Sequence, residues 1–159
     1  MRKVKTMIRR DIRLKPIGYV KTDADEDRIR EDRKGVVSEI VLSEGLSKAL
    51  DGIEDFSHLF ILFYMHKAIS KLSSPKVHPR GRQDLPLVGL FATRSPCRPN
   101  PIGLTLVELM ERRGNVIKVR GLDAIDGTPI IDIKPYDPLD IALEAKTPRW
   151  WKRLHLSSP

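Results

Sequence analysis

Short runs of alternating apolar and polar residues, separated by clusters of Gly, Pro, Asn and Asp, organise this chain. An alternation of period two buries one side of an extended segment and wets the other, so each run predicts a strand. Residues 12–22 alternate loosely around Ile17, Tyr19 and Val20, and residues 35–42 carry Val36, Val37, Ile40 and Val41. Residues 58–66 (HLFILFYMH) are nearly continuous in apolar and aromatic side chains, which predicts a strand buried on both faces. Residues 87–92 return to strand, and 102–111 alternate through Ile102, Leu104, Leu106 and Glu108. Arg113-Gly114-Asn115 then turns the chain into 116–119 as a hairpin. Asp126-Gly127-Thr128-Pro129 is a second tight turn, leading into 130–134. Helical spacing appears once, in Leu46, Ala49, Leu50 and Ile53 behind a Ser43-Glu44 cap. About seven strands with one short helix and long loops predict a mostly β domain, closed into a barrel because closure removes exposed edges.

Composition narrows the class. A chain of 159 residues, 40% apolar, suffices for one self-sufficient core that buries roughly 70% of its unfolded surface. No run approaches the ~18 apolar residues of a membrane span, and no secretory core follows the basic N-terminus, so a cytoplasmic protein with no membrane partner is expected. Cys97 is the only cysteine, which excludes an intramolecular disulfide or a cysteine-cluster zinc site. His58, His66, His78 and His155 do not take a metal spacing, and no metal is expected.

The formal charge of +8 is unevenly spread. Between Lys67 and Asn100, seven cations (67, 71, 76, 80, 82, 94 and 98) face the single acid Asp84, whereas the first forty residues mix twelve basic with eight acidic side chains. A localised basic stretch at pI 9.8 is the footprint of a polyanion, most simply nucleic acid. Within it, residues 67–86 have little periodicity and read as a functional loop or lid. Residues 89–105 (GLFATRSPCRPNPIGLT) place Ser95, Arg98 and Asn100 each before a proline. Proline fixes its own φ and restricts its predecessor, so this loop is stiff. Pro-rich loops also merely end strands, but the surrounding charge favours a binding role, with Arg94 and Arg98 offering planar forks to a carboxylate or phosphate. In the tail, Trp150 and Trp151 lie among Lys146, Arg149, Lys152 and Arg153. Such a segment can stack on nucleic acid, yet packing of the tryptophans on the body is the commoner outcome, and no catalytic role is assigned to it.

The segments FSHLFILFYMH (56–66), HPRG (78–81), GLFATRSPCRPNPIGLTLVEL (89–109) and GLDAIDGTPIIDIKPY (121–136), with IGYVKT (17–22), together resemble the tRNA methyltransferase O, or TsaA-like, family. The resemblance implies a single-sheeted β-barrel over 1–137 with a basic N-terminal arm, followed by a tail over 138–159. It implies S-adenosylmethionine as cofactor, tRNA as partner, a homodimer with shared sites, and methylation at N6 of threonylcarbamoyladenosine beside the anticodon. The doubly wound methyltransferase signature is absent, since no strand runs into a G-x-G-x-x-G helix opening. Two further readings stay open: a cofactor-binding regulator without turnover, and a basic barrel that binds RNA alone.

By the same resemblance, cofactor contacts fall at Thr22, Asp23, Ala24, His66, Lys67, Arg94, Leu104, Asp126, Gly127, Thr128 and Pro129. Arg94 suits the methionine carboxylate, the Asp126 turn suits adenine or ribose, and Leu104 supplies an apolar wall. His66 can stack on the adenine; alone, it reads as a core histidine bonded to a carbonyl. Thr22-Asp23-Ala24 departs from the Ser-Pro-aromatic pattern common in the family. The acceptor nitrogen is weakly nucleophilic and calls for a base or polarising group, with His78, Asp84, Asn100 and Asp126 as candidates. Arg80, Arg82 and Arg98 are assigned to RNA phosphates or the threonyl carboxylate. Cys97 is not required.

Overall fold

A computed structural model describes residues 12–68 and 74–156, so the basic arm before residue 12 and Lys71 lie outside the described residues. Six antiparallel strands close a barrel: β1 (Gly18–Lys21), β2 (Val37–Leu42), β3 (His58–Tyr64), β6 (Ile102–Arg113), β7 (Val116–Arg120) and β8 (Pro129–Pro135). The order around the barrel is β1-β2-β7-β6-β3-β8, with β8 returning to β1. A separate two-stranded ribbon, β4 (Lys76–Val77) with β5 (Val88–Gly89), stands on the connection from β3 to β6.

The strand pattern follows the alternation in the sequence. Val20, Ile40, Leu59, Ile61, Val107, Ile117, Val119 and Ile130 turn inward and are almost wholly buried. Each contributes about 1.5–3 kcal/mol of burial to the core. Gly103 is required on β6 because the Phe63 ring of β3 occupies the space a Cβ would fill. Register shifts at Leu62/Phe63 and Leu109/Glu111 mark bulges, which bend strands into closure.

Several expectations change in detail. Six strands, not seven, form the barrel, and the strand at 12–22 shrinks to Gly18–Lys21. Residues 87–92 form only the two-residue β5 followed by a 3-10 turn at Leu90–Ala92. The helix expected behind Ser43 is a pair of 3-10 turns, Glu44–Leu50 and Ile53–Asp55, and Ser43 makes no side-chain cap. Real helices occur elsewhere: α1 (Glu26–Asp32), capped by Asp25 through Arg28 N–H, and α2 (Arg149–Leu156). Among the described residues no helix is long and apolar enough to cross a membrane.

β3 is not buried on both faces. Leu59, Ile61 and Phe63 point into the barrel, Phe60 and Leu62 are half-buried outside, and Tyr64 is exposed. Across the ladder, Phe60, Leu62 and Tyr64 stand opposite Leu106, Leu104 and Ile102. Tyr64, Ile102, Leu104, Leu106 and Met110 are each 36–50% exposed, leaving an apolar outer face on β3 and β6.

Candidate functional site

Strand direction decides where the loops gather. The C-terminal end of β1 lies beside the N-terminal ends of β2 and β8, with Lys21 opposite Glu39 and Tyr19 opposite Pro129. The C-terminal end of β3 lies beside the N-terminal ends of β6 and β8, with Tyr64 opposite Ile102 and Phe63 opposite Ile130. The C-terminal end of β7 meets the N-terminal end of β2, with Arg120 opposite Val37. The three connections β1–β2, β3–β6 and β7–β8 therefore leave the same mouth. Thr22, Asp23 and Ala24 lie on the first; His66, Lys67, His78, Arg80, Arg82, Asp84, Arg94, Arg98 and Asn100 on the second; Asp126, Gly127 and Thr128 on the third, with Pro129 opening β8.

The first and third connections are bonded together. Thr22 N–H donates to Asp126 Oδ1 at 3.0 Å, Gly127 N–H to the Val20 carbonyl at 2.8 Å, and Val20 N–H to the Thr128 carbonyl at 2.9 Å. Gly127 makes this turn possible, since its φ of 71° is open to glycine and strained for other residues. Asp126 and Gly127 are exposed, whereas Thr128 is 2% exposed and faces the interior. Of this turn, Asp126, Gly127 and the half-buried Pro129 face outward.

The second connection joins them at its start. Lys67 Nζ lies 3.7 Å from Glu26 Oε1 at the head of α1, and Met65 N–H donates to the Pro101 carbonyl at 2.8 Å, bringing both ends of this long excursion together. α1 carried a signal in the sequence, Asp25 ahead of two acids with Arg30 in the last turn. His66 is exposed beyond the end of β3 rather than buried in it.

The arginine loop is ordered by its small polar residues as well as its prolines. Thr93 Oγ1 donates to the Leu90 carbonyl and accepts from Ser95 N–H; Ser95 Oγ accepts from Cys97 N–H. Arg94 is exposed, and among the described residues its guanidinium takes no hydrogen-bond or ion-pair partner. Arg98 is half-buried with its guanidinium 5.8 Å from the centre of the Phe91 ring. Asn100 and Cys97 are exposed.

Around the 79–81 turn the candidates separate. His78 Nδ1 and the Leu85 carbonyl are 2.8 Å apart, so Nδ1–H donates to that carbonyl and Nε2 is left without a protein partner among the described residues. Arg82 is engaged by Asp84 through two bonds, Nε–Oδ1 at 3.0 Å and Nη2–Oδ2 at 2.7 Å. Arg153 of α2 reaches the same Oδ2 at 3.4 Å, a contact across 69 residues with no local signal in sequence. The hydrogen bond from Arg82, assisted by the charges of Arg82 and Arg153, holds the Asp84 carboxyl below the ordinary carboxylate range. An acid this strongly paired is a poor base. Arg80 is exposed at φ 51°, with no pair among the described residues.

Leu104 stands apart, on the outer face of β6 opposite Leu62 and half exposed. An open cleft of about 330 Å³ beside β1, lined by Pro16, Gly18, Tyr19, Ser43 and Pro129, shares only Pro129 with these residues. Among the described residues no group of three His, Cys, Asp or Glu is placed to hold a metal.

Comparison with known proteins shows the family of this chain. The profile described as the tRNA-methyltransferase O N-terminal domain matches residues 27–140. A probable S-adenosyl-L-methionine-binding protein of Methanothermobacter thermautotrophicus is 44% identical over 133 residues, 79% of this chain and 90% of that protein. The tRNA (adenine(37)-N6)-methyltransferase of Escherichia coli is 47% identical over 94 residues, 57% of this chain and 40% of that enzyme. A crystal structure of TrmO from Pseudomonas aeruginosa superimposes with a TM-score of 0.70 at 30% identity, covering 86% of this chain and 61% of that one.

Proposed function

The chain belongs to the family of the tRNA-methyltransferase O N-terminal domain, and from that premise we propose that it is an S-adenosylmethionine-dependent tRNA methyltransferase acting at N6 of an adenosine. Threonylcarbamoyladenosine beside the anticodon is the proposed substrate. The observation that carries this reading is the gathering of Thr22, His66, Arg94 and Asp126 on connections of one barrel mouth, with the Arg94 guanidinium uncommitted among the described residues.

The residues fit the cofactor chemically. A planar guanidinium suits its carboxylate, an exposed turn with a carboxylate and backbone N–H groups suits ribose and adenine, and Lys67 and His66 border the same rim. When bound, the cofactor supplies an electrophilic methyl group on a sulfonium. The chain's own residues align the acceptor and remove its proton, with neither metal nor covalent intermediate needed. Among the candidate bases, Asn100 has no basic lone pair, Asp84 is spent on Arg82 and Arg153, and Asp126 accepts from Thr22. His78 remains, with Nδ1 tied to Leu85 and Nε2 available, and we assign it the proton.

Leu104 supports a homodimer with shared sites. It lies within the apolar face of β3 and β6, and exposed apolar patches of this kind mark interfaces. A second copy covering that face would bring Leu104 to the edge of its mouth. A Leu106→Asp variant is expected to sediment as a monomer and to lose cofactor affinity; a dimer unaffected by this charge places the contact elsewhere.

The activity is tested by methyl transfer from labelled cofactor to threonine tRNA with and without its threonylcarbamoyl group. Label is expected only on the modified RNA. Cofactor binding without transfer to either RNA makes the protein a regulator; absence of calorimetric heat and of thermal stabilisation removes the cofactor from its function.

A further inference from the structure

The helix α2 lies beyond the matched family region, which ends at residue 140, yet it docks on the connection that carries the mouth's cations. Arg153 meets Asp84, and the charge of Arg80 bears on His155. Arg82 and Arg153 share the Asp84 carboxylate, and the helix so held carries two further exposed cations, Arg149 and Lys152. From Lys146 to the end of the sequence there is no acid. A helix that carries several cations and no acid, held beside the basic 80–82 turn, attracts an external anion with several charges.

Two features select among polyanions. Trp150 and Leu154, four residues apart, are half-buried, so the apolar side of α2 faces the protein and is not free to enter a bilayer. Trp151 stays 39% exposed, its ring 4.4 Å from and tilted 40° to that of His155, and offers a base an aromatic ring on a helix rich in cations.

We propose that α2 and the 80–84 turn form a tRNA-binding surface continuous with the mouth. Arg149 and Lys152 contact phosphates, and Trp151 stacks on an unpaired base. Asp84 is a positioning residue that keeps Arg82 and Arg153 together. This rests on tRNA being the substrate, and it adds a grip the family region does not contain.

The test measures binding of the full chain to an unmodified threonine tRNA transcript by fluorescence anisotropy, between about 50 and 200 mM salt. A double variant, Arg149→Gln with Lys152→Gln, is expected to bind about tenfold more weakly, with a log–log salt slope shallower by about 1.5 to 2. Trp151→Ala should weaken binding several-fold and leave the slope unchanged, because stacking neutralises no phosphate. Unaltered affinity and slope in the double variant overturn the proposal. So does equally tight binding of poly-glutamate with the same loss, which would make an acidic protein the occupant.

Calorimetric titration of the same proteins with S-adenosylmethionine separates this proposal from the methyltransferase reading. Unchanged heat in the variants is expected; its loss in the double variant alone would mean that α2 only supports the barrel. If the parent takes up no cofactor but still binds tRNA through these residues, the methyltransferase reading falls and the surface stands.

Discussion

The two ends of this barrel use arginine in opposite ways. At the end away from the candidate site, Arg112 has a side chain only 17% exposed. It bonds Asp51 at 2.7 Å, the Ser47 carbonyl at 3.0 Å, the Gly114 carbonyl at 3.3 Å and Glu54 at 3.4 Å. Every fork is spent on the protein, tying the 3-10 turns to the β6–β7 hairpin. At the mouth, Arg94 is exposed and makes no such bond among the described residues. The same side chain is a clamp at one end and uncommitted to the protein at the other. Local sequence does not separate the two; the neighbours supplied by the fold do.

The largest effect is expected at the mouth. His78→Gln should lower kcat for methyl transfer by about 10²- to 10⁴-fold and leave cofactor affinity within a few-fold, as removal of a general base does. Equal losses in kcat and in cofactor affinity would move His78 from proton transfer to binding.

Next, Arg94→Ala should weaken cofactor binding by about ten- to a hundredfold, the loss of a charge-assisted bond, with an unchanged Tm. Arg112→Ala should do the reverse, lowering Tm while the folded protein binds cofactor normally. An Arg94 variant that unfolds early, or an Arg112 variant that folds but binds poorly, would break the contrast between the ends.

The smallest effect concerns α2. Burial first, and the charge of Arg80 second, lower the His155 pKa below the ordinary imidazole range. An imidazole with a lower pKa in the folded state binds its proton more weakly there than when undocked. Docking is therefore undiminished above the ordinary range and loosens as pH falls through it. The Asp84 carboxyl, also lowered, keeps its pair with Arg82 and Arg153 until more acid pH still. Tryptophan fluorescence should shift modestly as pH falls through the imidazole range, and His155→Gln should abolish that shift. An identical shift in the variant would assign it to another group.

Much of the barrel was legible before any coordinates. The apolar pattern of residues 35–42, 102–111 and 116–119 marks strands, found at Val37–Leu42, Ile102–Arg113 and Val116–Arg120, because one side of each is buried and the other wetted. The Gly114 and Gly127 turns were legible because positive φ favours glycine. Less legible were features that depend on partners distant in sequence. The run 58–66 looks buried throughout, yet β6 and β8 flank only its two edges, and its outer face stays partly exposed among the described residues. The residues behind Ser43 have helical spacing but settle as 3-10 turns, the second of them opened by Gly52 at φ 84°. Of the candidate site, the motifs nominate the residues, and the assignment of Arg82 to RNA does not anticipate its pairing with Asp84.

By itself, the sequence determined which segments are strands, which turns are tight and which loop is stiff, since these depend on backbone freedom and on the side each residue must bury. Tertiary structure alone decided that three separate loops leave one mouth, because antiparallel closure sends alternate connections to the same end. It also decided which arginines are committed and which are available, because an ion pair depends on distance in space, and Arg153 with Asp84 is adjacent only after the chain has folded.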